Sequence, residues 1–227
     1  MFVTEKEVKI KVIDWLHKHE KHSVIIPEVT FGNAVKMNTV KAVRADIFAL
    51  NGDISIYEIK TEKDNLDRLP YQLELYTQYA NRVSVVVAEK FLNNIQKLPE
   101  DIGIYIIYDK EIQKIRAPKS HSILTEKYLS YWWGIELKKL FRGLEGKSAL
   151  HLTAALNELQ KMLTAEEIKR LTLFRLKERY KRENDIIELA LKNKKYDQLF
   201  PKKSFSKSEL FVTPLKDIPF GILKGLS

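Results

Sequence analysis

The sequence predicts an α/β protein: a mixed sheet covered by helices on both faces, followed by an all-helical region. Three observations predict it. Apolar residues alternate on both sides of Asn51-Gly52-Asp53. Apolar runs at 82–88 and 103–108 have the length and continuity of strands buried on both faces. From about residue 124 to 195 the apolar period is helical, with no convincing strand.

Each element has a local cause. Thr4 can cap a helix running to about Glu20, with Glu7 at capping-box spacing and Val8, Val12, Trp15 and Leu16 forming one stripe. Val24 to Phe31 reads as a strand made irregular by Pro27, and Gly32-Asn33 as a turn. Val40 to Leu50 and Ile54 to Lys60 form a hairpin. Leu66, Leu69, Leu73, Tyr76 and Ala80 share a helical face, and Pro70 falls in the tolerant first turn. A strand at 82–88, a short helix at 89–96 and a strand at 103–108 follow. Residues 113–116 can pair back across an Asp109-Lys110 turn. Helices are expected at 124–142, 148–161 and 165–193, the last with a break near Glu183. The expected organisation is a core domain at 1–118, a basic helical domain at 119–200, and a C-terminal extension at 201–227 opened by Pro201 and Lys202-Lys203.

Composition narrows the function classes. With 227 residues, 44% hydrophobic, the chain can bury a real core. It has no cysteine, which excludes disulfide scaffolds, thiol catalysis and Cys-bound zinc. The cluster His17, His19 and His22 lacks a suitable later pair for zinc. No apolar run approaches a membrane span, and Glu5, Lys6, Glu7, Lys9 and Lys11 stand where a signal peptide needs an apolar run. A soluble cytoplasmic protein with no membrane partner is expected. The net charge of +9 lies wholly in residues 119–227, which favours a polyanion such as nucleic acid.

The hairpin carries polar residues where a strand usually carries apolar ones: Asp46, Glu58 and Lys60. Glu58 and Lys60 share a face. A two-residue loop would pair Leu50 with Asp53 and put Asp46 on the other side. A three-residue loop pairs Leu50 with Ile54 and sets Asp46 opposite Glu58. Two carboxylates that close need a cation between them, and Mg²⁺ or Mn²⁺ suits such oxygen ligands. Lys60 could hold a metal-activated water. The same residues could instead form cross-strand ion pairs. Gln72 and Tyr76 lie four apart on one helical face.

Asp46, an eleven-residue gap and then Glu58-Ile59-Lys60 resemble the motif of the PD-(D/E)XK nuclease superfamily. Arg44-Ala45-Asp46-Ile47, Tyr57-Glu58-Ile59-Lys60-Thr61, Leu69-Pro70-Tyr71-Gln72 and Val85-Val86-Val87-Ala88-Glu89 are similar to a group of small bacterial and phage predicted nucleases. The resemblance covers residues 5 to about 110, and Ala45 replaces the motif's proline. It implies a restriction-endonuclease-like αβββαβ core and a Mg²⁺-dependent nuclease hydrolysing DNA phosphodiester bonds. Asp46 and Glu58 would bind the metal with the Ile59 carbonyl, and Lys60 would position the attacking water. Glu28, in preference to Glu7, would add a carboxylate. Arg44, Gln72 and Tyr76 would support the site or contact nucleic acid. DNA is favoured over RNA by resemblance alone.

In the helical half, Arg175, Arg179 and Arg182 fall on one stripe and Lys177 and Lys181 on its neighbour, a pattern that fits a phosphate backbone. Tyr131, Trp132, Trp133 and Leu137 are expected to pack rather than stack on bases. The alternative to cleavage is a module that keeps the fold and binds nucleic acid or protein without catalysis. A homodimer or a protein partner stays open.

Overall fold

The structure, a computed structural model, describes residues 4–20, 24–31, 43–108, 111–147, 149–201 and 210–224. The expected turns at Gly32-Asn33 and Asp109-Lys110, the Lys202-Lys203 segment and His22 lie outside them. Helix α1 (Glu5–His19) starts in the expected capping box. The Glu7 N–H donates to Thr4 Oγ1 at 3.2 Å, and the Glu7 carboxylate accepts the Thr4 N–H at 2.7 Å. This employs Glu7 as a cap.

Strands β1 (Val24–Phe31), β2 (Val43–Leu50), β3 (Ile54–Lys60), β4 (Arg82–Ala88), β5 (Gly103–Tyr108) and β6 (Glu111–Arg116) form one sheet in that order. The pairs β2/β3 and β5/β6 are antiparallel, and β3/β4 and β4/β5 are parallel. The sheet is therefore mixed. Its central strands β3 and β4 bury side chains on both faces, mostly apolar ones, with Ser55, Glu58, Lys60 and Ser84 as buried polar residues among them.

Helix α2 (Leu69–Tyr79) links β3 to β4, and Pro70 occupies its first turn. Glu89–Phe91 is a 3₁₀ turn running into the short α3 (Leu92–Ile95). Tyr57 and Glu58 point to opposite faces as consecutive strand residues. Glu20, just past α1, accepts from Tyr57 Oη and Tyr105 Oη on one face. Gln72 and Tyr76 of α2 meet Glu58 on the other.

The helical region holds α4 (Thr125–Leu129), α5 (Gly134–Leu140), α6 (Leu152–Met162), α7 (Ala165–Lys192) and α8 (Phe220–Lys224). The helix expected over 124–142 is two, because the Glu136 carboxylate accepts the Trp133 N–H at 2.9 Å and starts a new helix there. α7 runs through Glu183 without the expected break.

The chain forms two compact units, each discontinuous in sequence. The first takes Met1–Thr30, Val43–Ile123 and Glu183–Pro201; the second takes Phe31–Ala42, Leu124–Arg182 and Lys202–Ser227. The units interleave in sequence, with the end of α7 in the same unit as the sheet. Among the described residues no helix is long and apolar enough to cross a membrane.

Candidate functional site

The β2–β3 register places the polar residues. Leu50 pairs with Ile54 and Ile47 with Tyr57, so Asn51-Gly52-Asp53 is a three-residue connection. Gly52 sits at φ +69°, the left-handed position such a loop needs. Continuing this register by one pair sets Asp46 opposite Glu58. The Asp46 carboxylate reaches across the strands and accepts the Ile59 N–H at 2.9 Å. At Ile59 the structure thus shows the amide as Asp46's partner, beside the carbonyl to which the nuclease resemblance assigned a metal.

Glu58 is buried and every oxygen is engaged. Oε1 accepts from Lys60 Nζ at 2.7 Å and from Gln72 Nε2 at 2.6 Å. Oε2 accepts from Tyr76 Oη at 2.6 Å. Lys60 Nζ also donates to Gln72 Oε1 at 2.9 Å, closing a ring of three side chains. Burial pushes the Glu58 carboxyl up, and the Asp46 charge adds to this against the opposing effects of Lys60 and Tyr76. Burial likewise pushes the Tyr76 phenol up, reinforced by the Glu58 charge.

The second half of the site is a residue that sequence reasoning passed over. Lys9 of α1 is 3% exposed, and its Nζ lies 2.7 Å from Glu5 Oε1, 3.0 Å from Glu28 Oε1 and 3.1 Å from Asp46 Oδ1. Burial acts to lower the Lys9 ammonium, but its bond to Glu5 and the charges and bonds of Asp46 and Glu28 outweigh it and hold it well above the ordinary value. Glu28 reaches this point from a left-handed backbone conformation, φ +57°, inside β1. The signal was available: Lys9, Val12, Ile13 and Leu16 have the spacing of one buried stripe, with lysine where an apolar residue is expected.

The donor set can be tested against a divalent ion. Both Asp46 oxygens and both Glu58 oxygens already accept hydrogen bonds, and an ammonium stands among Glu5, Glu28 and Asp46. A Mg²⁺ ion would have to displace Lys9 or sit against it. Among the described residues no group of three or more His, Asp or Glu side chains is arranged to hold a metal. As placed, the Asp46 and Glu58 carboxylates are shared among Lys9, the Ile59 amide, Lys60, Gln72 and Tyr76.

The basic stripe on α7 needs correction. Arg175 and Arg179 are buried, not displayed to a phosphate backbone. Arg175 Nε donates to Glu136 Oε1 at 3.0 Å, and Arg179 Nε to the same oxygen at 2.7 Å. Arg179 also pairs with Glu136 Oε2 and lies 4.2 Å from the Trp133 ring. The physical reason is Glu136, which has no exposure and requires the guanidinium groups as countercharge. Lys181 and Arg182 are exposed and Lys177 is half-buried. Arg44 is 60% exposed and lies 3.9 Å from Glu28.

Fold and site together define an α/β protein whose sheet carries a polar centre neutralised by its own lysines. The chain belongs to the bacteriophage P4 protein cII family, whose model matches residues 2–198. It is 30% identical over 188 residues to "Protein cII" of Enterobacteria phage P4, covering 78% of this chain and 67% of that one. Among solved structures it is similar to the SPO1766 protein of unknown function from Silicibacter pomeroyi. That match has 18% identity and a TM-score of 0.36, over 67% of this chain and 86% of the other.

The family match overturns the nuclease reading. The PD-(D/E)XK resemblance, and the expected DNA hydrolysis and endonuclease character with it, rested on the Asp46 to Lys60 motif, its flanking segments and the order of the elements, and the family shown is a different one. A three-residue hairpin brings Asp46 and Glu58 opposite each other whatever they do there.

Proposed function

We propose that this chain is a non-catalytic nucleic-acid-binding module. One observation carries the reading: the Lys9 ammonium bonded among Glu5, Glu28 and Asp46, two of which the nuclease resemblance gave to a metal. Charges that the chain itself satisfies hold α1, β1, β2, β3 and α2 together, and they leave no cation demand for chemistry to use. The reading treats the αβββαβ order, an arrangement of restriction-endonuclease-like type, as a scaffold. The partner follows from charge: net +9, with all of the excess beyond residue 118.

Fluorescence anisotropy with labelled duplex DNA, single-stranded DNA and RNA tests it, each in Mg²⁺ and in EDTA at equal ionic strength. Expected are salt-dependent binding, equal affinity in both conditions, and intact nucleic acid afterwards. Shortened product in Mg²⁺ alone would overturn the reading, as would the absence of binding to all three.

A further inference from the structure

We infer that the outer face of the C-terminal segment, Phe211 to Lys224, is where a second copy of this chain docks, joining two helical units about a two-fold axis. This goes beyond the binding reading and does not depend on it.

The inner face of the segment is fixed to its own unit. Leu210, Val212, Leu215 and Ile218 are buried. The Leu210 carbonyl accepts from Lys139 Nζ at 2.5 Å, and the Phe211 carbonyl from Arg175 Nη1 at 2.9 Å. The Thr213 N–H donates to Glu178 Oε2 at 3.5 Å, and its hydroxyl donates to Glu178 Oε1. With Leu210 and Val212 turned in along an extended stretch, Phe211 turns out.

Phe220 and Phe211, at 74% and 70%, are the most exposed large apolar side chains among the described residues. Helix α8 adds Ile222 and Leu223, and none of its five residues is buried. A helix this short draws its stability from packing, not from its own turns. Only its end is tied down: Arg170 Nη1 donates to the Leu223 carbonyl at 3.5 Å, and Lys224 pairs with Glu167. Its apolar start stands in water. A pinned backbone that presents its largest rings outward is suited to burial against another apolar surface.

Charge selects a second copy as that surface. Between the two phenylalanines stand Lys216 and Asp217, adjacent, opposite in sign and exposed, and neither makes an ion pair among the described residues. Lys216 is laid over Gly143, where a Cβ would stand 2.9 Å from its Nζ, so the cation keeps one place. The neighbouring charges are spent within the unit, Glu166 on Arg170 and Glu167 on Lys224. A two-fold axis turns the order apolar, cation, anion, apolar back on itself. Phe211 then meets Phe220 of the other copy, Lys216 meets its Asp217, and each pair occurs twice. A phosphate chain or an anionic membrane finds one unspent lysine here beside a carboxylate, which favours neither.

Sedimentation velocity and light scattering on the full chain, up to about 200 μM, read the association. Wild type is expected to reach the mass of a dimer in that range. Phe211→Ser/Phe220→Ser should associate about tenfold or more weakly. Both rings are exposed in the single chain, so the melt of the dilute protein should move by no more than about 2 °C. Leu189→Ser, at an exposed leucine of the sheet unit, should change neither. Asp217→Lys should weaken the dimer about threefold or more, because each reversed charge acts twice. Lys216→Asp/Asp217→Lys exchanges the two charges and should return the affinity to within about twofold of wild type. That recovery is a readout that a merely structural role for Asp217 would not give. Wild type that stays monomeric overturns the inference, as does a Phe211→Ser/Phe220→Ser chain that dimerises like wild type. An exchanged pair that does not recover overturns the two-fold pairing. Monomeric wild type that floats with anionic vesicles would give the face to a lipid surface instead. None of these outcomes bears on the binding of nucleic acid, which the anisotropy experiment decides by itself.

Discussion

Lys9 shows how one side chain decides what a cluster of carboxylates is for. Its ammonium is buried, while Glu5 and Glu28 are 60% and 41% exposed and can turn to water if it is removed. Asp46 is 15% exposed and has less recourse. Lys9→Met should therefore cost about 1–3 kcal/mol, below the figure for a fully buried pair, whereas Glu5→Ala should cost under about 0.5 kcal/mol. Urea midpoints at neutral pH measure both, and equal losses would contradict the account. The variant also probes the cation logic. Mn²⁺ should raise the melting temperature of Lys9→Met and leave wild type unmoved. Glu136 is the stricter case in the helical unit. Removing it takes a buried carboxylate from both guanidinium groups, leaving Arg175 its pair with Glu178 and Arg179 its bond to the Tyr131 carbonyl, so Glu136→Ala should lose about 3–5 kcal/mol. A loss under about 1 kcal/mol would mean that Arg175 and Arg179 reach water.

At the scale of elements, local chemistry in the chain explains what was legible. Asn51-Gly52-Asp53 allowed two registers, and the three-residue one is adopted with Gly52 left-handed. β1, β3, β4 and β5 have the expected limits, because apolar runs of strand length bounded by turn residues leave little freedom. The α7 stripe was misread for an equally definite reason. A period of cations along a helix is the same whether it faces water or a buried Glu136, forty residues away in another helix. Trp133 to Leu137 gave no sign that its glutamate would be the best-buried charge in the unit. Close approach between strands was also invisible. A Cβ on Gly103 of β5 would stand 2.4 Å from Ser84 Oγ and 2.8 Å from Pro118 Cδ. Gly103→Ala should cost about 1–3 kcal/mol, and Ser84→Ala in the same chain should recover part of it. Full tolerance of the alanine in a denaturation curve would mean that the β4–β5 contact is looser than described.

Across the whole molecule the two units hold titratable groups that act at opposite ends of the pH scale. In the sheet unit, burial holds the phenols of Tyr57, Tyr76 and Tyr105 above their ordinary value of 10.0. Lys9 is held above its ordinary 10.5 by its carboxylate partners, against the effect of burial. A group raised in the folded state contributes stability that is complete below the unfolded value and lost as pH rises through the folded one. The sheet unit should thus weaken above about pH 10, with tyrosinate absorbance appearing together with unfolding rather than before it. Glu58 is also raised, so its protonation on acidification favours this unit. The helical unit contains the reverse case. The Glu167 carboxylate is bonded to Lys224 and accepts the Thr164 N–H at 2.8 Å, which holds it down to about 2 from an ordinary 4.5. Its contribution is complete above 4.5 and is lost as pH falls through about 2. The tryptophans separate the two, since Trp15 belongs to the sheet unit and Trp132 and Trp133 to the helical one. In a Trp15→Phe background, the acid transition in tryptophan fluorescence should shift when Glu167→Gln is added. Coincident acid curves with and without that change would show that the bond to Lys224 does not govern the helical unit's acid limit.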